Sequence, residues 1–376
     1  MVDDAADRAR TRRLGGVMAD FDGSRLSLAR RMRRMPRTAL ATKTSVTAAA
    51  VTQFEKDQAR PTHAAAAELS LALGVPVEFF RRGRPIALIP SSEVHYRSLR
   101  STPAISRDQA LSFAEIALSV VDLLEQYVDL PQLDVPLHPI DGEDVVDPKV
   151  IADIARSVRQ EWGAGTGPIP NVVRLLESHG VAVLRFPPNL DPKVDAFSTS
   201  AGHRSIVMLS EQKADRARSR FDAAHELGHL VMHSGVEPGN KIVESQAHQF
   251  AAEFLAPSEF LIDELPRRLD WADLHELKAK WGVSLKSLCY RANSLGLWGE
   301  ATYRRSMQIL AEQGYPEAGP LGPPESPSVL GAAVQLLEGA GLSIESIADA
   351  GRVPLDTFRQ VVAAGSETRP RLKVVP

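Results

Sequence analysis

The stretch that most constrains this chain is Phe221-Asp-Ala-Ala-His225-Glu226-Leu-Gly-His229-Leu-Val-Met-His233, a His-Glu-x-x-His pattern inside an apolar helical run. At 3.6 residues per turn, His225 and His229 are separated by roughly 40° on one helical face, so both imidazoles can reach one cation. Glu226 borders the same pocket. It is placed to take a proton from a metal-bound water, the general-base role this spacing serves in metal-dependent peptide hydrolysis. Ten histidines in 376 residues make a chance match rare, on the order of 0.02 per chain.

A catalytic zinc takes three protein ligands and keeps a position for water. The third is sought in Val243-Glu244-Ser-Gln-Ala-His248-Gln-Phe250-Ala-Ala-Glu253-Phe254-Leu255-Ala-Pro257, an amphipathic helix whose packed face is Ala247, Phe250, Ala251, Phe254 and Leu255. Glu244 lies one turn before Ala247 and His248, beside that face, and Glu253 lies further round. Glu244 is therefore the expected ligand. His233 and His248 each follow a ligand by four residues and are expected to support the ligands or donate hydrogen bonds to the transition state, with packing or solvent roles as the alternative.

The HELGH helix, followed by an acidic residue leading into an A-x-x-FAA-x-x-L-x-P helix, resembles the ImmA/IrrE family of zinc metallopeptidase-like proteins, over roughly residues 150–300. The resemblance implies an α+β, zincin-like fold. It puts His225, His229 and Glu244 at the family's zinc-ligand positions and Glu226 at its general-base position. His248 departs from the family, where many relatives have Asn. Ser205 to Leu209 resembles the family's edge strand, able to hold an extended peptide by strand addition, or is an ordinary sheet edge.

At 376 residues the chain is expected to be multi-domain. Residues 1–23 read as a flexible N-terminus and 24–80 as an all-α unit of at least four short helices, with Pro36, Thr47 and Pro61-Thr62 at their starts. Residues 81–149 read as a connector with a long helix over 94–129, ended by the proline-rich stretch Pro131 to Pro139. From 150 to 300 the pattern is mixed: helices, a strand at Val181 to Phe186, a Ser/Thr/Gly loop at 198–202, a strand at Ser205 to Leu209, then helices. Residues 301–376 hold a semi-rigid linker with five prolines at 316–327 and a small helical tail. The single cysteine, Cys289, excludes an internal disulfide and fits a reducing cytoplasm as packing. No stretch of eighteen apolar residues occurs, so neither secretion nor membrane spanning is expected.

The formal charge of −3 is uneven. Residues 24–62 hold nine Lys/Arg against Glu55 and Asp57, which makes that segment +7 and points to a polyanion. Thr38-Ala-Leu40-Ala41, Val46-Thr47, Ala50 to Lys56 and Leu71 to Pro76 resemble an XRE-type helix-turn-helix. That resemblance implies a homodimer on double-stranded DNA, with Thr47, Ala48, Ala49, Thr52 and Gln53 toward bases and Arg37 and Lys56 toward phosphates. Ser45 replaces the usual turn glycine and the two alanines weaken direct readout, although they can touch thymine methyls. Together the resemblances imply a cytoplasmic DNA-binding regulator whose zinc endopeptidase cleaves a repressor-like protein substrate. The alternative is a non-proteolytic, metal-stabilised repressor or antitoxin that neutralises a toxin partner.

Overall fold

The computed structural model describes residues 16–83, 86, 89, 95–96, 102–140, 145–188, 190–201, 203–211, 215–234, 236, 240–363 and 372–374. Among the described residues, four helices come first, α1 (Gly23–Met32), α2 (Arg37–Thr42), α3 (Ala48–Glu55) and α4 (His63–Leu73), followed by a single turn of 3-10 helix at Val77–Phe80. Side-chain caps set three of these starts, at Thr47 and Thr62 as the sequence predicts and at Asp22, which it does not single out, and α2 follows Pro36 with no side-chain cap. Asp22, Thr47 and Thr62 accept from the backbone N–H of Ser24, Ala50 and Ala65, each satisfying an otherwise unpaired donor of a first helical turn. The segment before α1 departs from the expectation of a flexible N-terminus over 1–23. Met18 and Phe21 are fully buried, and Val17 and Phe21 bridge to Thr62 and Arg81. Of residues 1–23, the first fifteen lie outside the described residues.

The connector also differs from a helix over 94–129. Residues His95–Tyr96 form a short strand, β1, and the helix α5 spans Ala104–Leu124, starting after Pro103. Strand β2 (Val128–Asp129) pairs antiparallel with β6 (Lys373–Val374). Two helices, α6 (Pro148–Glu161) and α7 (Val172–Ser178), lead into β3 (Ala182–Arg185), β4 (Ala196–Ala201) and β5 (Arg204–Leu209). The sheet order is β1-β4-β5-β3, with β5 parallel to β3 and antiparallel to β4.

Two sequence expectations are corrected here. The run 198–202, read as a loop, lies largely within β4. Ser198 and Thr199 are buried, at 1% and 3% exposure, Ser200 is exposed, and β-pairing satisfies their backbone. Ser205 to Leu209 is not an edge strand, because β5 lies between β4 and β3. Burial on both faces explains its unbroken apolar run. Ile206 and Met208, with Leu184 and Phe197, join one core, and Val207 and Leu209, with Val183 and Ala196, join another.

The second core holds the helices that follow: α8 (Arg216–Met232), α9 (Lys241–Leu255), α10 (Ser258–Glu264), α11 (Trp271–Trp281) and α12 (Leu285–Ser294), with α13 (Glu300–Gln313) packed outside it through Met307 and Leu310. The first core is shared by the N-terminal helices, α5, and the C-terminal α14 (Val329–Gly339), α15 (Ile344–Gly351) and α16 (Leu355–Val362). The N-terminal, connector and tail segments thus bury one continuous core against the sheet. The proline stretch 316–327 is docked rather than a free spacer. Glu317 accepts from the N–H groups of Leu285 and Lys286 at the start of α12. Glu325 accepts from Val172 and Val173 at the start of α7 and pairs with buried Arg220. In return Glu177, at the end of α7, accepts from Ser328 and Val329 at the start of α14. No helix among the described residues is long and apolar enough to cross a membrane.

Candidate metal centre

Helices α8 and α9 lie close enough to share side chains because Gly228 has no Cβ. One built there would sit 3.0 Å from Cδ1 of Phe250 on α9. This approach sets Glu244, in the first turn of α9, opposite the two histidines of α8. His225 Nε2 and His229 Nε2 are 3.1 Å apart, Glu244 Oε2 is 3.3 Å from His225 Nε2, and Glu244 Oε1 is 3.6 Å from His229 Nε2. Ligand atoms about 2.0–2.1 Å from a tetrahedral zinc are separated by roughly 3.3 Å. The three atoms therefore have the spacing of one face of that tetrahedron, and the donor set of two imidazoles and a carboxylate suits zinc. Glu253 faces elsewhere, accepting from the N–H and hydroxyl of Ser258 and from Arg291.

Hydrogen bonding orients the imidazoles. Gln246 Oε1 is an acceptor, so His233 carries its proton on Nε2, 2.9 Å away. His233 Nδ1 then accepts from His229 Nδ1 at 3.0 Å, which leaves the Nε2 lone pair of His229 facing His225 and Glu244. Such outer partners fix the tautomer and ring orientation of a ligand. Gln246, buried at 2%, is absent from the sequence reading because its role depends on His233, four residues beyond the motif. His248 donates from Nδ1 to the carbonyl of Glu244 at 2.6 Å, and its ring stands 4.6 Å from that of His225.

Glu226 is fully buried beside this group. Ser198 of β4 donates to its Oε2 at 2.7 Å, with the Glu226 carbonyl 3.2 Å from the same hydroxyl. Ser198 is a further member of the site that the sequence conceals, since its segment reads as a loop. The strand beside Glu226, β4, lies between β5 and the two-residue β1, which pairs His95 with Ser198 and Tyr96 with Phe197. Next to His248 and Phe221 opens a cavity of about 560 Å³, whose surface is mostly apolar although Asp215, Arg218, Lys286 and Glu317 also line it.

The N-terminal residues expected at DNA fall in a separate region. Thr47, Ala49, Gln53 and Lys56 are exposed along α3 and its caps, and Ala48 and Thr52 are half-buried. The Thr47 hydroxyl caps α3 and the Thr52 hydroxyl donates to the Ala48 carbonyl. The local charge is less available than the +7 count implies. Arg31 pairs with Glu115 of α5, outside the segment, and Arg25 is buried against Phe79, while Arg30 and Arg37 share Glu55, whose charge the count already includes. These arginines hold the helices together, so the electrostatic inference from composition overstates the charge left for a polyanion.

Residues 176–293 match the family model of the IrrE N-terminal-like domain, Peptidase_M78, from the end of α7 through most of α12. The match covers under a third of the chain. It includes all four of His225, Glu226, His229 and Glu244, and it is to a metallopeptidase-like domain. Comparison with curated proteins gives no match.

Proposed function

We propose that the chain is a zinc-dependent endopeptidase fused to a DNA-binding regulator. The observation that carries the peptidase reading is the tetrahedral spacing of His225, His229 and Glu244 with Glu226 fixed beside them. The bound cation would activate a coordinated water and polarise a peptide carbonyl. Glu226 would take the attacking water's proton at its carboxylate and pass it to the leaving amine. Ser198 holds that carboxylate in place. His233 and Gln246 hold His229, and His248, whose Nδ1 proton goes to the Glu244 carbonyl, would as an imidazolium donate from Nε2 to the carbonyl oxygen as negative charge develops. An extended substrate would add to β4 by displacing the two-residue β1, which pairs there in this structure.

The DNA-binding part rests on the exposed face of α3, presenting Ala49, Gln53 and Lys56. As a helix-turn-helix module it would act on two half-sites as a homodimer. The substrate is proposed to be a repressor-like protein. Comparison of wild type with Glu226→Gln, for zinc content and for partner cleavage, tests the reading. Identical behaviour would favour the metal-stabilised repressor or antitoxin instead.

A further inference from the structure

We infer that the cavity beside His248 is the pocket that selects the substrate, taking a bulky aromatic or long apolar side chain next to the scissile bond; this rests on the peptidase reading above. The cavity, about 560 Å³, lies within the range of about 300–1,000 Å³ typical of ligand pockets. Its inner wall is continuous with the metal centre. Phe221 precedes His225 by one turn, with ring centroids 6.4 Å apart, and His248 lies 5.5 Å from Phe221 and 4.6 Å from His225. A residue whose carbonyl reaches the metal position thus has the cavity within one side chain's length.

The remaining wall gives the pocket its character. Ala252 leaves space on α9, and Tyr290, Tyr303 and Tyr315 stand around the cavity together with four charged side chains, among them Arg218 and Glu317, Tyr290 and Tyr315 being 51% and 65% exposed. Aromatic faces at a mouth favour an aromatic or apolar guest and tolerate water at the rim. Tyr303 and Tyr315 lie beyond the matched residues 176–293. Part of the selecting wall therefore comes from α13 and the docked proline stretch, which Glu317 pins to α12.

The test uses the full chain, loaded with zinc and checked by metal analysis, and measures calorimetrically the binding of the N-acetyl hydroxamates of phenylalanine and of alanine. The hydroxamate anchors on the metal and sets the register. The phenylalanine compound is expected to bind about tenfold tighter or more, and Ala252→Trp, which fills the cavity, is expected to bring the ratio to about one. Equal affinities in the wild type, or no binding by a zinc-loaded chain, would overturn the inference. So would equally tight binding of N-acetylphenylalanine amide, which lacks the anchor and would mark a small-molecule site. A chain that takes up no zinc would instead overturn the reading on which the inference rests.

Discussion

The hydroxyl of Ser198 donates to Oε2 of Glu226 at 2.7 Å, joining strand β4 to the carboxylate at the heart of the site. Both residues are buried, so water does not replace the bond when it is removed. A hydrogen bond to a charged group contributes about 1.5–3 kcal/mol. Ser198→Ala is expected to lower cleavage by about 10- to 100-fold while zinc content stays at one per chain. Loss of zinc together with activity would show that Ser198 supports the fold instead.

His229→Ala removes one corner of the ligand triangle and breaks the chain of hydrogen bonds through His233 to Gln246. Zinc content should fall to near zero, and the stabilisation that bound zinc gives the native state should vanish with it. Gln246→Ala leaves all three ligands but frees the His233 ring, and zinc affinity should drop about 10- to 100-fold. Competition with a chromophoric chelator measures both.

Glu325 and Arg220 form an ion pair in which both side chains are under 5% exposed. Glu325→Ala would leave Arg220 buried without its carboxylate and the first N–H groups of α7 without their acceptor. Breaking a buried pair from one side costs about 3–5 kcal/mol. Chemical denaturation should show a loss of that size and release of the proline stretch to proteolysis. A change below about 1 kcal/mol would mean the stretch is not held there in solution.

Asp191 joins three parts of the molecule. Ser106 of α5 donates to it at 2.7 Å, the Lys193 N–H at 3.0 Å, and Arg34 of the N-terminal unit lies 3.7 Å away. The hydrogen bond from Ser106, then that from Lys193, holds its carboxyl below the usual carboxylate range. A depressed carboxyl contributes its stabilisation fully above the unfolded-chain value of about 3.9 and loses it as pH falls through the lower folded value. Stability of wild type and Asp191→Asn should therefore differ at neutral pH, and the difference should begin to shrink only below about pH 4 and close as pH falls through the lower folded value. A constant difference across that range would refute the assignment.

On α3, Lys56 is exposed, and Arg37 is shared with Glu55. Lys56→Ala should weaken DNA binding on all sequences and reduce the salt slope by about one contact. Arg37→Ala should do so less, because Glu55 already engages that guanidinium. Gln53→Ala should change sequence preference. Affinity that ignores all three would remove α3 from the DNA interface.

The metal triangle was legible because it depends on local rules: the i, i+4 spacing of His225 and His229, and the helical phase that separates Glu244 from Glu253. The caps at Thr47 and Thr62 were legible for the same reason. β4 was not, because Ala-Phe-Ser-Thr-Ser-Ala has loop-like composition and becomes a strand only through pairing with β5 on one side and β1 on the other. The exchange of caps between Glu177 and Glu325 joins residues about 150 positions apart, and local pattern carries no trace of it. The charge of 24–62 was overstated for a related reason, since counting cannot see that Glu115 on α5 takes up Arg31 or that Arg25 is buried.

The central claim, that Glu226 acts in peptide hydrolysis rather than in metal retention, is tested most directly with Glu226→Gln. The amide keeps the shape of the side chain but accepts no proton at the working pH. Both purified chains should hold one zinc, and new protein N-termini identified by mass spectrometry in expressing cells should appear with wild type and be missing with the variant. Zinc in both chains with identical sets of N-termini would contradict the account.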